Sequence, residues 1–147
     1  MSVRILIADD SANWSAPFCE FLRLMGYEAD SVATGTELDN FIKSEPDKCQ
    51  ILIVDNSMPV TPGGPEVPYC GVQTLGSLIQ HFRNGPPRIL KRVIVRSIYS
   101  KADVEVLRGT DDSCIKLGCE QVKTEDWFDR SAPLDDLIGA IERLSRI

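Results

Sequence analysis

The sequence has no apolar run close to the roughly 20 residues that a membrane-spanning helix needs. Its first residues, MSVRILIADD, reach two aspartates too early for a secretory signal peptide. Hydrophobic residues make up 43% of the 147 residues and charged residues 26%, a composition typical of neither a disordered chain nor a membrane protein. We therefore expect one cytoplasmic domain that spans residues 1–147 and does not insert into a membrane.

Cysteine clusters and basic patches are also lacking. The five cysteines include no Cys-x-x-Cys pair, which argues against a zinc site and against a disulfide framework. We expect most of them to be small buried residues, with Cys70 as the exception because it lies in a Pro/Gly-rich stretch. The net charge is −6, and the one basic stretch, 88–96, reads mainly as a strand, so direct nucleic-acid binding is not expected.

Short apolar runs alternate with helical patterns along the chain. Buried parallel strands are predicted for Val3–Ala8, Gln50–Val54 and Val93–Val95, with weaker strands at 28–33 and 127–128. Apolar stripes at helical spacing predict helices near 13–25, 36–43, 71–82, 102–117 and 133–144. This alternation predicts an α/β fold in which right-handed crossovers build one parallel sheet with helices on both faces.

Some local features are harder to interpret. Ser11 or Asn13 is expected to cap the first helix, with Pro17 in its first turn. A loop is expected at about 60–70, and the fourth helix should be interrupted at 109–111.

Polar residues follow the predicted strands at the points where they end. Asp9 and Asp10 follow the first strand, Asp55 the third, Ser97 the fourth, and Arg130 lies just past the fifth. Each could be an ordinary cap, turn or surface residue, but parallel strands end at one edge of a sheet, where ligands bind. Their joint occurrence therefore favours a functional site.

The carboxylates in this set predict a cation site. Two carboxylates about 4 Å apart repel each other by about 4 kcal/mol at an effective dielectric constant near 20. A divalent cation removes this penalty, and Mg²⁺ prefers one or two carboxylates together with phosphate oxygens. A carboxylate beside Mg²⁺ can also attack phosphorus while a hydroxyl and a cation hold the other phosphoryl oxygens.

The strings ILIADD, ILIVDNSMP, VIVRS and WFDRSAPLDDLIGAI resemble the receiver domains of response regulators in two-component signalling, in particular stand-alone CheY-like ones. The resemblance implies a flavodoxin-like three-layer (βα)5 sandwich with strand order 2-1-3-4-5 and no output domain. It also implies a phosphoacceptor rather than an enzyme. A histidine kinase or phosphotransfer protein would supply the phosphoryl group with Mg²⁺ as cofactor, and the phosphorylated domain would bind a downstream protein.

The resemblance further assigns roles by position. Asp55 is the expected phosphoacceptor. The expected Mg²⁺ ligands are Asp10, the backbone carbonyl of Ser57, Asp55 itself and, often through water, Asp9. Ser97 is the hydroxyl residue that binds the phosphoryl group and moves, and Tyr99 or Trp127 is the aromatic switch residue.

Three departures from the family pattern matter. The lysine usual after the fifth strand is replaced by Arg130, whose planar fork differs from a point charge and could instead pair with Asp9 or Asp129. Lys123 is the alternative cation. Ile98 replaces a usual small residue and should crowd the path to Asp55. Extra residues lie between Pro59 and Gly71 and between positions 109 and 127, and the first stretch is either a tolerated insertion or a lid or docking loop.

Two other functions remain open at this point. The domain could be a pseudo-receiver, which binds partners without being phosphorylated. It could also be a small flavodoxin-like enzyme such as a phosphatase with a nucleophilic aspartate. A phosphatase of this kind would need a second aspartate two residues after Asp55, but position 57 is a serine. A flavin or nucleotide role is also poorly supported, because no Gly-rich phosphate loop follows the first strand.

Overall fold

The computed structural model describes residues 2–107 and 112–147. Five parallel strands form the main sheet: β1 (Arg4–Ala8), β2 (Glu28–Val32), β3 (Ile51–Asp55), β6 (Val93–Ser97) and β7 (Trp127–Asp129). Their order is β2-β1-β3-β6-β7, which confirms the predicted order 2-1-3-4-5 and the flavodoxin-like α/β fold. Two short strands, β4 (Met58–Pro59) and β5 (Glu66–Val67), pair antiparallel outside this sheet.

Six helices are described: α1 (Ala12–Leu24), α2 (Gly35–Ser44), α3 (Cys70–His81), α4 (Lys101–Leu107), α5 (Ser113–Gln121) and α6 (Leu134–Ser145). Alternate strand residues point to opposite faces of the sheet. Ile5, Ile7 and Ile53 pack with α1 and α6, whereas Leu6 and Val54 pack with the helices of the other face. The result is the expected three-layer sandwich. In the described part of the chain, no helix combines the length and the apolar character needed to cross a membrane.

The start of α1 differs from the prediction. Ser11 occupies the N-cap position, but its side chain makes no capping hydrogen bond. Pro17 lies inside the helix, beyond the first turn in which it was expected. A proline there removes one backbone hydrogen bond, to the carbonyl of Asn13. Both Pro17 and Asn13 are exposed, so water can reach the carbonyl that loses its donor.

Other sequence expectations also need correction. Cys70 is buried (1% exposed) and begins α3, and its thiol lies 3.7 Å from the carbonyl oxygen of Pro59. The basic stretch does not read mainly as a strand, because Arg88–Lys91 is a 3-10 turn that precedes β6. The apolar stripe that predicted the first helix is only partly buried, since Phe21 and Met25 are 39% and 40% exposed. The predicted helix interruption at 109–111 lies outside the described residues.

Glycines let α3 approach its neighbours closely. A Cβ on Gly76 would lie 1.7 Å from the carbonyl oxygen of Cys114, and one on Gly118 would lie 1.9 Å from that of Val72. A Cβ on Gly71 would lie 2.5 Å from the carbonyl oxygen of Asp55. The first turn of α3 therefore packs directly against the end of β3, where the site is built.

Candidate functional site

Three charged side chains share one face of the sheet at its carboxyl edge. Asp9 directly follows β1, Asp55 ends β3, and Arg96 pairs in register with Asp55 on β6. Each of the three lies two residues after an isoleucine of its strand: Ile7, Ile53 or Ile94. Because side chains alternate between the two faces of a sheet, all three charged residues lie on the face that packs with α1 and α6. The fold thus brings these charges together beneath the start of α1.

The predicted acidic cluster is present. One carboxylate oxygen from each of Asp9, Asp10 and Asp55 can be chosen so that all lie within 4.8 Å of one another. Asp9 and Asp55 are buried, at 4% and 1% exposure, whereas Asp10 is exposed. The cluster is therefore open to solvent on the side of Asp10.

Asp55 is the most enclosed of the three carboxylates. Its Oδ1 accepts a hydrogen bond from the Ser57 backbone N–H at 3.1 Å, and its Oδ2 accepts one from Arg130 Nη2. Burial raises the pKa of Asp55, and the hydrogen bonds from Arg130 and Ser57 partly offset this effect. The carboxylate is thus desolvated and held by donors on both oxygens.

The Nη2 atom of Arg130 lies close to several oxygens at once. Besides Asp55, its Nη2 lies 3.5 Å from the Ser57 carbonyl oxygen and 3.4 Å from Glu66 Oε1 on β5. The expected alternative, a pairing with Asp9 or Asp129, is not what the structure shows. Asp129 instead accepts hydrogen bonds from the backbone N–H and the hydroxyl of Ser131.

Arg96 is a site residue that the sequence analysis missed. It is 7% exposed, and its Nη1 donates to Asp9 Oδ2 at 2.8 Å. Its guanidinium carbon lies 3.5 Å from the ring centroid of Trp14 on α1, and its Nη2 donates to the Arg130 carbonyl at 3.3 Å. The sequence carried part of the signal: Arg96 lies in an otherwise apolar strand on the same face as Ile94. That this face is also the one of Asp55 follows only from the register with β3.

The hydroxyl of Ser97 lies beside this cluster rather than on it. Its oxygen accepts a hydrogen bond from the Tyr99 backbone N–H at 3.0 Å and lies 3.5 Å from Asn56 Nδ2. Trp127 Nε1 donates to the Tyr99 carbonyl at 2.9 Å. In the part of the chain that is described, no hydrogen bond joins Ser97 to Asp55. A cavity of about 290 Å³ borders this network and is lined by Ser97, Tyr99, Ser100, Lys101, Ala102, Thr124, Trp127 and Asp129.

Two other residues singled out in the sequence lie apart from the cluster. Lys123 is exposed and precedes the turn Thr124–Asp126, so it stands before the amino end of β7, whereas the site is at the carboxyl end. Ile98 follows Ser97 and is 55% exposed. Its proposed effect on access to Asp55 stays a prediction.

The donor set suits a hard divalent cation. Carboxylates of Asp10 and Asp55 and the carbonyl of Ser57 are oxygen ligands of the kind that Mg²⁺ prefers. Guanidinium groups, however, already contact three candidate oxygens: Arg130 reaches Asp55 Oδ2 and the Ser57 carbonyl, and Arg96 reaches Asp9 Oδ2. A cation here would share these oxygens with two arginines or displace them.

No protein-family model and no curated protein sequence matches the chain. Solved structures do match. The non-phosphorylated HemR receiver domain from Leptospira biflexa aligns with a TM-score of 0.67 and 18% identity over 99% of this chain and 96% of that one. The receiver domain of the Francisella response regulator 1452 aligns with a TM-score of 0.67 and 18% identity over 99% and 98%. A CheY-like receiver domain from Methylobacillus flagellatus gives 0.61 and 18% over 98% and 99%. The chain therefore has the receiver-domain fold over nearly its whole length.

Proposed function

We propose that this protein is a phosphoacceptor receiver of a two-component or phosphorelay system. A histidine kinase or phosphotransfer protein would transfer a phosphoryl group to Asp55. The observation that carries the proposal is the burial of Asp55 at the carboxyl edge of the sheet, beside Asp10 and under the guanidinium of Arg130. The receiver-domain fold supports the same function.

The chain's own groups account for most of the chemistry. A carboxylate oxygen of Asp55 forms the new O–P bond while the P–N bond of the donor phosphohistidine breaks and its electrons return to the imidazole. Arg130 would hold phosphoryl oxygens after it releases Asp55, and Ser97 would supply a hydroxyl from the adjacent strand. Bound through Asp10, Asp55 and the Ser57 carbonyl, with Asp9 nearby, Mg²⁺ would neutralise negative charge on the transferring group.

Signalling would follow from the charge added at the edge of the sheet. A phosphoryl group brings about −1.5 to −2 charge and three acceptor oxygens. Ser97 would turn toward them, and its hydrogen-bonded neighbour Tyr99 and the ring of Trp127 would follow. A downstream protein would read this change. Cytoplasmic location and the lack of direct nucleic-acid binding stay predictions.

One observation favours a second candidate, the non-phosphorylated pseudo-receiver. Arg130 forms an ion pair with Asp55, and Arg96 forms one with Asp9, so an arginine already balances the charge of each buried carboxylate. Such pairs could fix the site in one state, and the domain would then serve only to bind a partner.

Mass spectrometry separates the two candidates. Wild type and Asp55→Asn are incubated with acetyl phosphate and Mg²⁺, with a chelator as control. A phosphate-sized mass gain only in wild type, and only with Mg²⁺, supports phosphorylation at Asp55. No gain in wild type, or an equal gain in both proteins, contradicts it.

A further inference from the structure

Arg96 is more firmly held than the other arginine of the site. Its guanidinium lies between the Trp14 ring and Asp9, and it also donates to the carbonyl of Arg130. Only 8% of its side chain is exposed, compared with 34% for Arg130. A buried guanidinium that lost its carboxylate would leave two uncompensated charges, so this pair is costly to separate. Arg130 therefore borders solvent, whereas Arg96 is enclosed by the protein.

Both carboxylate oxygens of Asp9 already accept a hydrogen bond within the protein. Its Oδ1 accepts a hydrogen bond from the Ser11 backbone N–H at 2.8 Å, and its Oδ2 accepts one from Arg96 at the same distance. In addition, a positive charge next to Oδ2 repels any cation that approaches this oxygen. Asp9 is thus poorly placed to support a metal ion, although its backbone position suits that role.

We propose that Arg96 is a resident counter-cation that removes Asp9 from the metal site. Mg²⁺ then binds through Asp10, Asp55 and the Ser57 carbonyl only, and it binds more weakly than it would with Asp9 free. This inference rests on the Mg²⁺ site of the proposed function and identifies Arg96 as a residue that sets its affinity.

Isothermal titration with MgCl₂ tests the proposal in three variants of the full chain, with Asp10→Asn as the reference for loss of a metal ligand. Arg96→Met removes the guanidinium and keeps an apolar stem against Trp14. Arg96→Met/Asp9→Asn removes the pair as a neutral unit. The matched control is Arg143→Met, which takes a guanidinium from another buried carboxylate, Asp126, near the opposite end of β7.

The expected pattern has two parts. Arg96→Met should lower the dissociation constant for Mg²⁺ about tenfold or more, because a positive charge a few ångströms from a dication is gone and Asp9 is free. The double variant should stay within about threefold of wild type, because a neutral pair that does not contact the metal has little electrostatic effect on it. Arg143→Met should match wild type.

Other results overturn the proposal. One is a dissociation constant for Arg96→Met that is no lower than that of Arg143→Met. Another is a loss of Mg²⁺ affinity in Arg96→Met/Asp9→Asn that is as large as the loss in Asp10→Asn. Such a loss would mean that Asp9 helps to bind the metal in wild type. The double variant leaves no unpaired buried charge, so this second comparison stands even if Arg96→Met does not fold. Loss of binding in all variants also overturns the proposal, whereas the mass gain on Asp55 independently decides the proposed function.

Discussion

At the scale of single residues, the burial of charged side chains determines how the site affects stability. Asp9 is nearly inaccessible, and its burial, more than any other factor, raises its pKa to about 6. The negative charges of Asp55 and Asp10 act in the same direction, while the Ser11 N–H and Arg96 oppose it. Even with a buried arginine beside it, Asp9 therefore stays a carboxylate at a cost in stability.

This cost predicts how stability depends on pH. Because the folded-state pKa of Asp9 lies above its ordinary value near 3.8, the folded state binds this proton more tightly than the unfolded state. The stability contributed by the proton is complete below about pH 4 and is lost as pH rises through about 6. A shift of this size corresponds to about 2–3 kcal/mol.

Urea unfolding between pH 4 and pH 7.5, in the presence of a chelator, measures this effect. The free energy of unfolding should fall more steeply with rising pH in wild type than in Asp9→Asn. Asp47→Asn, which removes an exposed carboxylate, controls for net charge and should follow wild type. Parallel curves for wild type and Asp9→Asn would contradict the assignment.

The residues of the site were predicted unequally well. Asp9, Asp10, Asp55 and Arg130 were found because residue type at a strand end is visible in the sequence. Arg96 was missed because it lies one position before the strand end. Its role depends on which face of the sheet it points to, which requires the register with β3 as well as the sequence.

At the scale of elements, the two shortest strands escaped prediction, whereas the five strands of the main sheet were predicted. Strands β4 and β5 have two residues each, too few to show an alternating pattern, and β5 lies within the stretch 60–70 that was expected to be a loop. The hairpin nevertheless brings Glu66 within 3.4 Å of Arg130. Cys70 was misassigned for a related reason: its neighbours Pro68 and Tyr69 suggest a loop, whereas the helix begins immediately after them.

The contact between α3 and α5 predicts a difference between two glycines. Gly118→Ala would place a methyl group against the carbonyl of Val72, so we expect a destabilisation of about 1–3 kcal/mol. Gly139→Ala, on the exposed face of α6, meets no atom within 4 Å and should instead stabilise by about 0.5–1 kcal/mol. Thermal or urea unfolding of the two variants checks this. Equal effects would mean that the helices separate easily.

At the scale of the whole molecule, the alternation of strands and helices was enough to predict the layers, because right-handed crossovers leave few arrangements for a parallel sheet. The strand order came from the resemblance to receiver domains, and the structure confirms it. The contacts that connect Asp55 with Ser97, Tyr99 and Trp127 could not be predicted, because they are made by side chains and depend on the tertiary structure. Asn56 shows such a contact: it directly follows Asp55, is buried, and has its Nδ2 3.5 Å from the hydroxyl oxygen of Ser97.

The last prediction concerns the cation that transmits the switch. Beryllofluoride with Mg²⁺ mimics the phosphoryl group, and a cation must leave Asp55 to meet it. In wild type, its binding should shift the NMR signals of Ser97, Tyr99 and Trp127, which are hydrogen-bonded in series. Arg130→Ala should lose these shifts, since Arg130 contacts Asp55 directly, and Arg130→Lys should keep them because the charge remains. Lys123→Ala, an exposed control, should behave like wild type. Loss of the shifts in Lys123→Ala alone would transfer the role to Lys123, and their absence in wild type would favour a pseudo-receiver held in one state by its two arginines.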